Sequence, residues 1–242
     1  MMNLNPKNLS STKLFIMNFS RKKLGVICVV LVSIIYLIGI FAPLLAPYDY
    51  SETNLLKTQS APDLENLLGT DRLGRDIFSR LIYGARNTMG IALITTFLAF
   101  LIGVGLGLLS AILSGWVDQI LARFVDILMA IPSLIFALML LSIFGSTALN
   151  LILIIAVLDS TRVFRLSRAV GMNIVVMEYV EAAKLRGEKI GWIMRKEILP
   201  NILPPLVAEF GLRFCYVFLM IASVSYTHLR AHETVQDVVC RL

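Results

Sequence analysis

The sequence predicts an all-α protein that crosses a membrane several times, and three observations carry that prediction. Hydrophobic residues make up 57% of the 242-residue chain and charged residues only 16%, a balance foreign to soluble domains. The apolar residues gather in blocks approaching the ~20 residues that a helix needs to cross a bilayer. The charged residues gather between those blocks, whereas a soluble helix interleaves them at helical spacing.

The first 23 residues hold Lys7, Lys13, Arg21, Lys22 and Lys23 and no acid, and Leu24 to Ala46 then runs without a charge. That block is longer than the apolar core of a signal peptide, and cleavage after Ala46 would leave Pro47 first. It therefore reads as an uncleaved first span (24–46) behind a cytoplasmic N-terminus, the basic flank staying inside. Residues 47–87 are polar and read as one extracytoplasmic segment. Within it, Ile77, Leu81 and Ile82 recur at helical spacing, so Arg75–Arg86 can lie along the membrane surface.

Residues 88–224 form the core. The second span covers about 88–114. Gly103 and Gly107 within it either make a small-residue face for close helix contact or reflect the commonness of glycine in membrane helices. A third span, about 124–144, is interrupted by Asp126 and Pro132. The carboxylate should face other helices or water, and the proline removes a backbone hydrogen bond. A short fourth span, about 147–159, can be lengthened by snorkelling of Arg162 and Arg165. The amphipathic stretch 160–200 follows, and its eight bases, Arg162 to Lys196, place it in the cytoplasm. Counting four crossings from a cytoplasmic N-terminus gives the same side. The fifth span runs from about 203 to 224. Glu209 and Arg213 inside it are four residues apart and share a face, either as a structural ion pair or as a substrate contact.

Several function classes drop out. The net charge of +6 sits beside apolar blocks rather than in an aromatic-interleaved stripe, which argues against nucleic acid. Cys28 and Cys215 lie in spans and Cys240 in the tail, so neither a disulfide framework nor a zinc site is implied. Gly69-Thr-Asp-Arg-Leu-Gly-Arg-Asp76 has the glycine spacing of a phosphate loop, but Arg75 and Asp76 stand where that loop needs Lys and Ser or Thr. A carboxylate at the last position repels phosphate, and the segment is predicted outside the cell, so nucleotide binding is rejected.

The most informative stretch is Tyr179-Val-Glu-Ala-Ala-Lys-Leu-Arg-Gly187, followed by Ile198-Leu-Pro-Asn201. Ala182 and Ala183 offer a flat helix face for a partner protein. Gly187 can turn one short helix into the next, and Pro200 suits the start of a re-entering helix. The spacing resembles the Glu-Ala-Ala loop of bacterial ABC importer permeases throughout. That resemblance implies that Glu181, Ala182, Ala183, Gly187, Ile198, Leu199 and Pro200 belong to a coupling loop (about 178–200) that docks on an ATPase subunit.

Three further stretches narrow the resemblance: Phe41-Ala-Pro-Leu-Leu-Ala-Pro-Tyr-Asp49, then Leu68-Gly-Thr-Asp-Arg-Leu-Gly-Arg-Asp76, and Gly115-Trp-Val-Asp118 leading to Asp126 and Ala130-Ile-Pro132. Residues 20 to about 224 are similar to the C-type permease of dipeptide, oligopeptide and nickel importers. Gly69, Thr70, Asp71, Gly74, Arg75, Asp76, Asp126 and Pro132 carry its motifs. The resemblance implies a type I ABC importer transmembrane domain in the bacterial inner membrane, with five of the family's six spans present. It also implies a second, B-type permease, two ATPases that hold the ATP and magnesium, an external binding protein, and surrounding lipid. The chain itself is expected to bind no cofactor and catalyse nothing. The expected cargo is a di- or oligopeptide, with nickel or another small solute as the alternative.

From a different class, an ion-driven secondary transporter with Asp126 or Glu209 as its coupling carboxylate would leave the Glu-Ala-Ala loop unexplained. Residues 225–242 change character. His228 and His232 have a spacing that could bind a metal, but Ser225 to Thr234 resembles a spurious tail, where the family continues toward a sixth span.

Overall fold

The computed structural model describes the backbone of residues 23–49, 52–145 and 147–239, and their side chains up to Val224 except at 23–25, 28, 29 and 55. The basic N-terminal segment and the side chains of the tail, including His228 and His232, lie outside the described residues. Apart from an isolated bridge between Thr70 and Asp76, the described elements are helices, as the composition requires. The chain divides into two compact units, residues 1–89 and 90–242.

In the first unit, α1 (Lys23–Ile40) gives way at Phe41 to a short α2 (Ala42–Leu45). The single span expected over 24–46 is thus broken near its end. Pro43 has no amide hydrogen for the α1 ladder, and its ring opposes the carbonyl four residues back. Residues 52–76 then form a tight polar turn structure. Asn54, Gln59 and Thr70 donate backbone hydrogen bonds to the carbonyls of Gly74, Asp71 and Ser60 at 3.4, 3.0 and 3.2 Å.

Helix α3 (Ile77–Leu113) follows. At about 1.5 Å per residue it is roughly 55 Å long, well beyond the hydrocarbon thickness. The stretch Arg75–Arg86, expected along the membrane surface, is therefore largely the first turns of the spanning helix. Asp76 makes this possible by capping the start: its Oδ2 accepts from the Ser79 amide at 2.7 Å, a favourable place for negative charge.

In the second unit, α4 (Gly115–Ala130) and α5 (Ser133–Phe144) meet at 87°. The third span is thus a broken pair, and its first helix starts at Gly115, ahead of the expected start at about 124. The cause is Pro132, which pushes Ile131 out of the helical region to φ −94°, ψ 133°. Helix α6 (Ala148–Val175) begins with Thr147 capping the Asn150 amide at 3.3 Å and continues well past the expected end at 159. A short α7 (Glu178–Leu185), a one-turn α8 (Ile190–Ile193) and a π-helical turn (Met194–Ile198) lead into α9 (Leu199–Val239).

By length and composition, Ile77–Leu113 and the run Ile190–Val224 suffice to cross a membrane, and α4 with α5 would make a third crossing. Helix α6 carries too many charges to pass that test alone. Three of these charged residues, Asp159, Arg165 and Arg168, pair with residues of other helices.

Small residues decide how α3 and α6 meet. A Cβ on Gly103 would stand 2.6 Å from the Val163 Cβ and 2.7 Å from the Ser160 carbonyl; one on Gly107 would stand 2.8 Å from the Phe164 carbonyl. Ser167 Oγ donates to the Gly103 carbonyl at 3.1 Å across this seam. The close-contact reading of Gly103 and Gly107 is the one realised, and backbones packed this closely are the usual glue of membrane helices.

Candidate functional site

The loop between α6 and α9 is built on a hydrophobic base. Val180 and Ala183 of α7 are fully buried with Leu108 of α3 and with Ile193, Ile198, Ile202 and Leu206 on the way into α9. The i, i+3 spacing of Val180 and Ala183 puts both on one stripe of α7, which is enough to hold a two-turn helix that would be unstable alone. Ala183 therefore faces its own chain and is not available to a partner, a correction to the flat outward face expected of Ala182 and Ala183. Glu181 and Ala182 remain exposed on the opposite side.

Gly187 ends α7 in the way its backbone freedom allows. It has φ +77°, its amide donates to the Lys184 carbonyl at 2.9 Å, and Glu188 donates to the Ala183 carbonyl at 3.2 Å. This paired closure satisfies two orphan carbonyls and needs a left-handed residue at this point. Arg186 then reaches Glu197 at 3.8 Å, tying the cap to the π turn.

Ile198 is fully buried, Leu199 partly so, and Pro200 exposed. Pro200 does not start a helix as expected. The helical run begins ten residues earlier at Ile190, and Pro200 follows the π turn, whose changed hydrogen-bond register makes room for a residue lacking an amide hydrogen.

Sequence reasoning missed two features of this loop. Leu185, at the end of α7, and Val176, just before its start, are large apolar side chains 83% and 78% exposed. Alternation of buried Val180 and Ala183 with exposed Leu185 was visible in principle as two apolar stripes on one short helix.

It also missed how α6 is fastened. Arg168 forks onto Asp118 of α4, with Nη2 to Oδ2 at 2.6 Å, and Ser110 of α3 donates to the same carboxylate. Arg165 pairs with Asp126 of α4 at 2.6 Å, with both side chains about half exposed. Nearer the start of α6, Asp159 lies 3.5 Å from Arg213 of α9, which pairs in turn with Glu209 at 2.6 Å. The expected Glu209–Arg213 pair is thus present, with a third member that the sequence did not place beside it.

The Gly69–Asp76 motif is a self-contained turn in the first unit. Gly69 (φ +77°) and Gly74 (φ +72°) sit where a Cβ would strike the carbonyls of Ser60 and Asn54. The amides of Gly69, Thr70, Asp71 and Gly74 all donate to backbone carbonyls, so they are committed to the turn rather than turned toward a phosphate. Asp71 accepts from the amides of Leu73 and Arg75 at 2.8 and 2.9 Å and pairs with Arg75 and Arg80. Partial burial pushes its pKa up, but these hydrogen bonds and charges outweigh it and hold the carboxyl at about 2. Burial likewise opposes ionisation of Asp76, and is outweighed by hydrogen bonds from Ser79 and Asn66, leaving its pKa lowered.

These features define a polytopic helical membrane permease with an ordered helix mounted between two of its membrane helices. Comparison with known proteins makes the class specific. Residues 103–229 match the family described as "Binding-protein-dependent transport system inner membrane component", and residues 10–62 match the "N-terminal TM domain of oligopeptide transport permease C". The chain is 34% identical to the dipeptide transport system permease protein DppC of Alkalihalophilus pseudofirmus over 217 residues, which is 90% of this chain and 71% of that protein. It is 32% identical to the oligopeptide transport system permease protein OppC of Bacillus subtilis, over 93% of this chain and 74% of that protein. It is also 34% identical to DppC of Haemophilus influenzae, over 88% and 74% of the two chains. The chain belongs to the family of binding-protein-dependent transport system inner membrane components, as an ABC importer permease subunit.

Proposed function

We propose that this chain forms, with a B-type permease, the pathway of an ATP-driven importer for di- or oligopeptides, and that α7 is its contact with the ATPases. The observation that carries this reading is the division of α7 into two faces. Val180 and Ala183 anchor it in a hydrophobic cluster with Leu108, Ile193 and Ile198, while Glu181, Ala182 and Leu185 stand exposed. A helix fastened firmly on one side, with charged residues and the apolar Leu185 on the other, suits a lever that transmits a partner's motion into the spans. The relatives named as dipeptide and oligopeptide permeases support the cargo. ATP and magnesium belong to two separate ATPases, and an external binding protein delivers the solute. The permease does no covalent chemistry; it shifts between outward- and inward-open populations.

The N-terminus and residues 160–200 then lie in the cytoplasm, residues 47–87 outside. Leu185→Asp should leave the permease folded and inserted yet abolish co-purification with the ATPases and ATP-dependent peptide uptake. Uptake at the normal rate by that variant, or uptake without any ATPase, would defeat the reading and favour an ion-driven carrier.

A further inference from the structure

An open groove of about 530 Å³ runs between α3 and the helical run that enters α9. Leu108 packs with Ile193 and Ile198 toward one end, and Phe100 meets Phe210 edge to face at 5.1 Å toward the other. From Phe97 to Leu108 the lining follows α3 for about 16 Å, close to the depth of one leaflet in a ~30 Å hydrocarbon core. Spread over that length, the volume corresponds to a channel about 6.5 Å across, too narrow for a helix, which with its side chains is about 10–12 Å across. A single hydrocarbon chain fits.

The lining is apolar except for Arg195. Phe97, Leu101 and Val207 within it are 62%, 64% and 66% exposed, and no atom lies within 4 Å of a Cβ placed on Gly105 or Gly191. Arg195 stands at the Leu108 end, exposed, and makes no ion pair or side-chain hydrogen bond among the described residues. Trp192, three residues earlier in the same run, is a ring of the kind that settles at the membrane–water interface. The guanidinium is thus at the level of lipid phosphates, with the apolar body of the groove extending from it into the bilayer. Basic side chains at the cytoplasmic mouth of a cleft between membrane helices suit lipid headgroups.

We propose that this groove binds one phospholipid, with an acyl chain lying between α3 and α9 and the phosphate on the Arg195 guanidinium. Only the choice of leaflet, the cytoplasmic one, rests on the placing of residues 160–200 given above. The site itself stands on the groove's width, its length and its single charge.

Phosphatidylglycerol with a photoreactive diazirine near the end of one acyl chain tests this in vesicles holding the complete transporter. After illumination, mass spectrometry should find the lipid joined to Phe97, Leu101 or Val207. A diacylglycerol probe with the same chain and no phosphate should label these residues about fivefold less, the discrimination expected of one arginine at the membrane surface. Arg195→Gln should bring the two probes level. Gly105→Trp, which fills the groove, should lower labelling by both. Equal labelling of the wild type by the two probes, or a difference that survives Arg195→Gln, overturns the inference; that comparison decides even where Gly105→Trp fails to fold. Absence of any label in the groove also overturns it, and shows that another protein segment covers this face.

Discussion

Arg168 of α6 and Asp118 of α4 meet side by side across 50 residues of sequence, two guanidinium nitrogens on two carboxylate oxygens, with Nη2 to Oδ2 at 2.6 Å. Such a fork fixes rotation as well as distance, so it sets how the broken helix pair leans on α6. Arg168→Ala should lower the stability of the detergent-solubilised protein by about 3 kcal/mol, the lower end of the range for stripping one partner from a buried pair. Arg168→Lys, which keeps the charge and loses the fork, should recover less than half of that. Thermal unfolding of the three proteins side by side checks the order.

Gly107 and Gly105 lie two residues apart on α3 and should respond oppositely to the same change. A side chain at Gly107 meets Ser167, Phe164 and Arg168, whereas nothing lies within 4 Å of a Cβ at Gly105. Gly107→Val should therefore open the α3–α6 seam and yield aggregated or protease-sensitive protein. Gly105→Val should remain monodisperse by size-exclusion chromatography. Equal behaviour of the two variants would refute the packing described.

At Gly187 the cost is one of backbone alone, since φ is +77° and open space surrounds the missing Cβ. Gly187→Asn should retain most transport, because asparagine tolerates left-handed angles. Gly187→Val should insert into the membrane normally but lose ATPase association, since a β-branched residue unwinds the closure of α7. Co-purification from membranes distinguishes the two.

Asp71 predicts a pH dependence in the turn that precedes α3. Its folded pKa of about 2 lies below the ordinary 3.8, so ionisation favours the folded form. That contribution is complete above about pH 4 and is lost as the pH falls toward 2. Between pH 5 and 3 the wild-type protein should lose more thermal stability than Asp71→Asn, which starts lower and has no such group to titrate. Parallel curves for the two would show that Asp71 contributes nothing through its charge.

The sequence by itself determined the class of the protein, the polar segment before α3, the amphipathic loop with its Glu-Ala-Ala motif, and the turn at Gly187. These are local properties: apolar block length, charge placement and the backbone needs of glycine act within a few residues of where they are read. The Glu209–Arg213 pair was legible for the same reason, being one helical turn apart. Tertiary structure alone decided that Ala183 faces inward, that Pro200 lies inside a helical run, and that the third span bends by 87°. It also joined Asp118 to Arg168, Asp126 to Arg165 and Asp159 to Arg213, pairs separated by 50, 39 and 54 residues. No spacing rule reaches that far. In a membrane, a charge must find a partner or water wherever the fold brings one, and only the packing of α4, α6 and α9 says which partner that is.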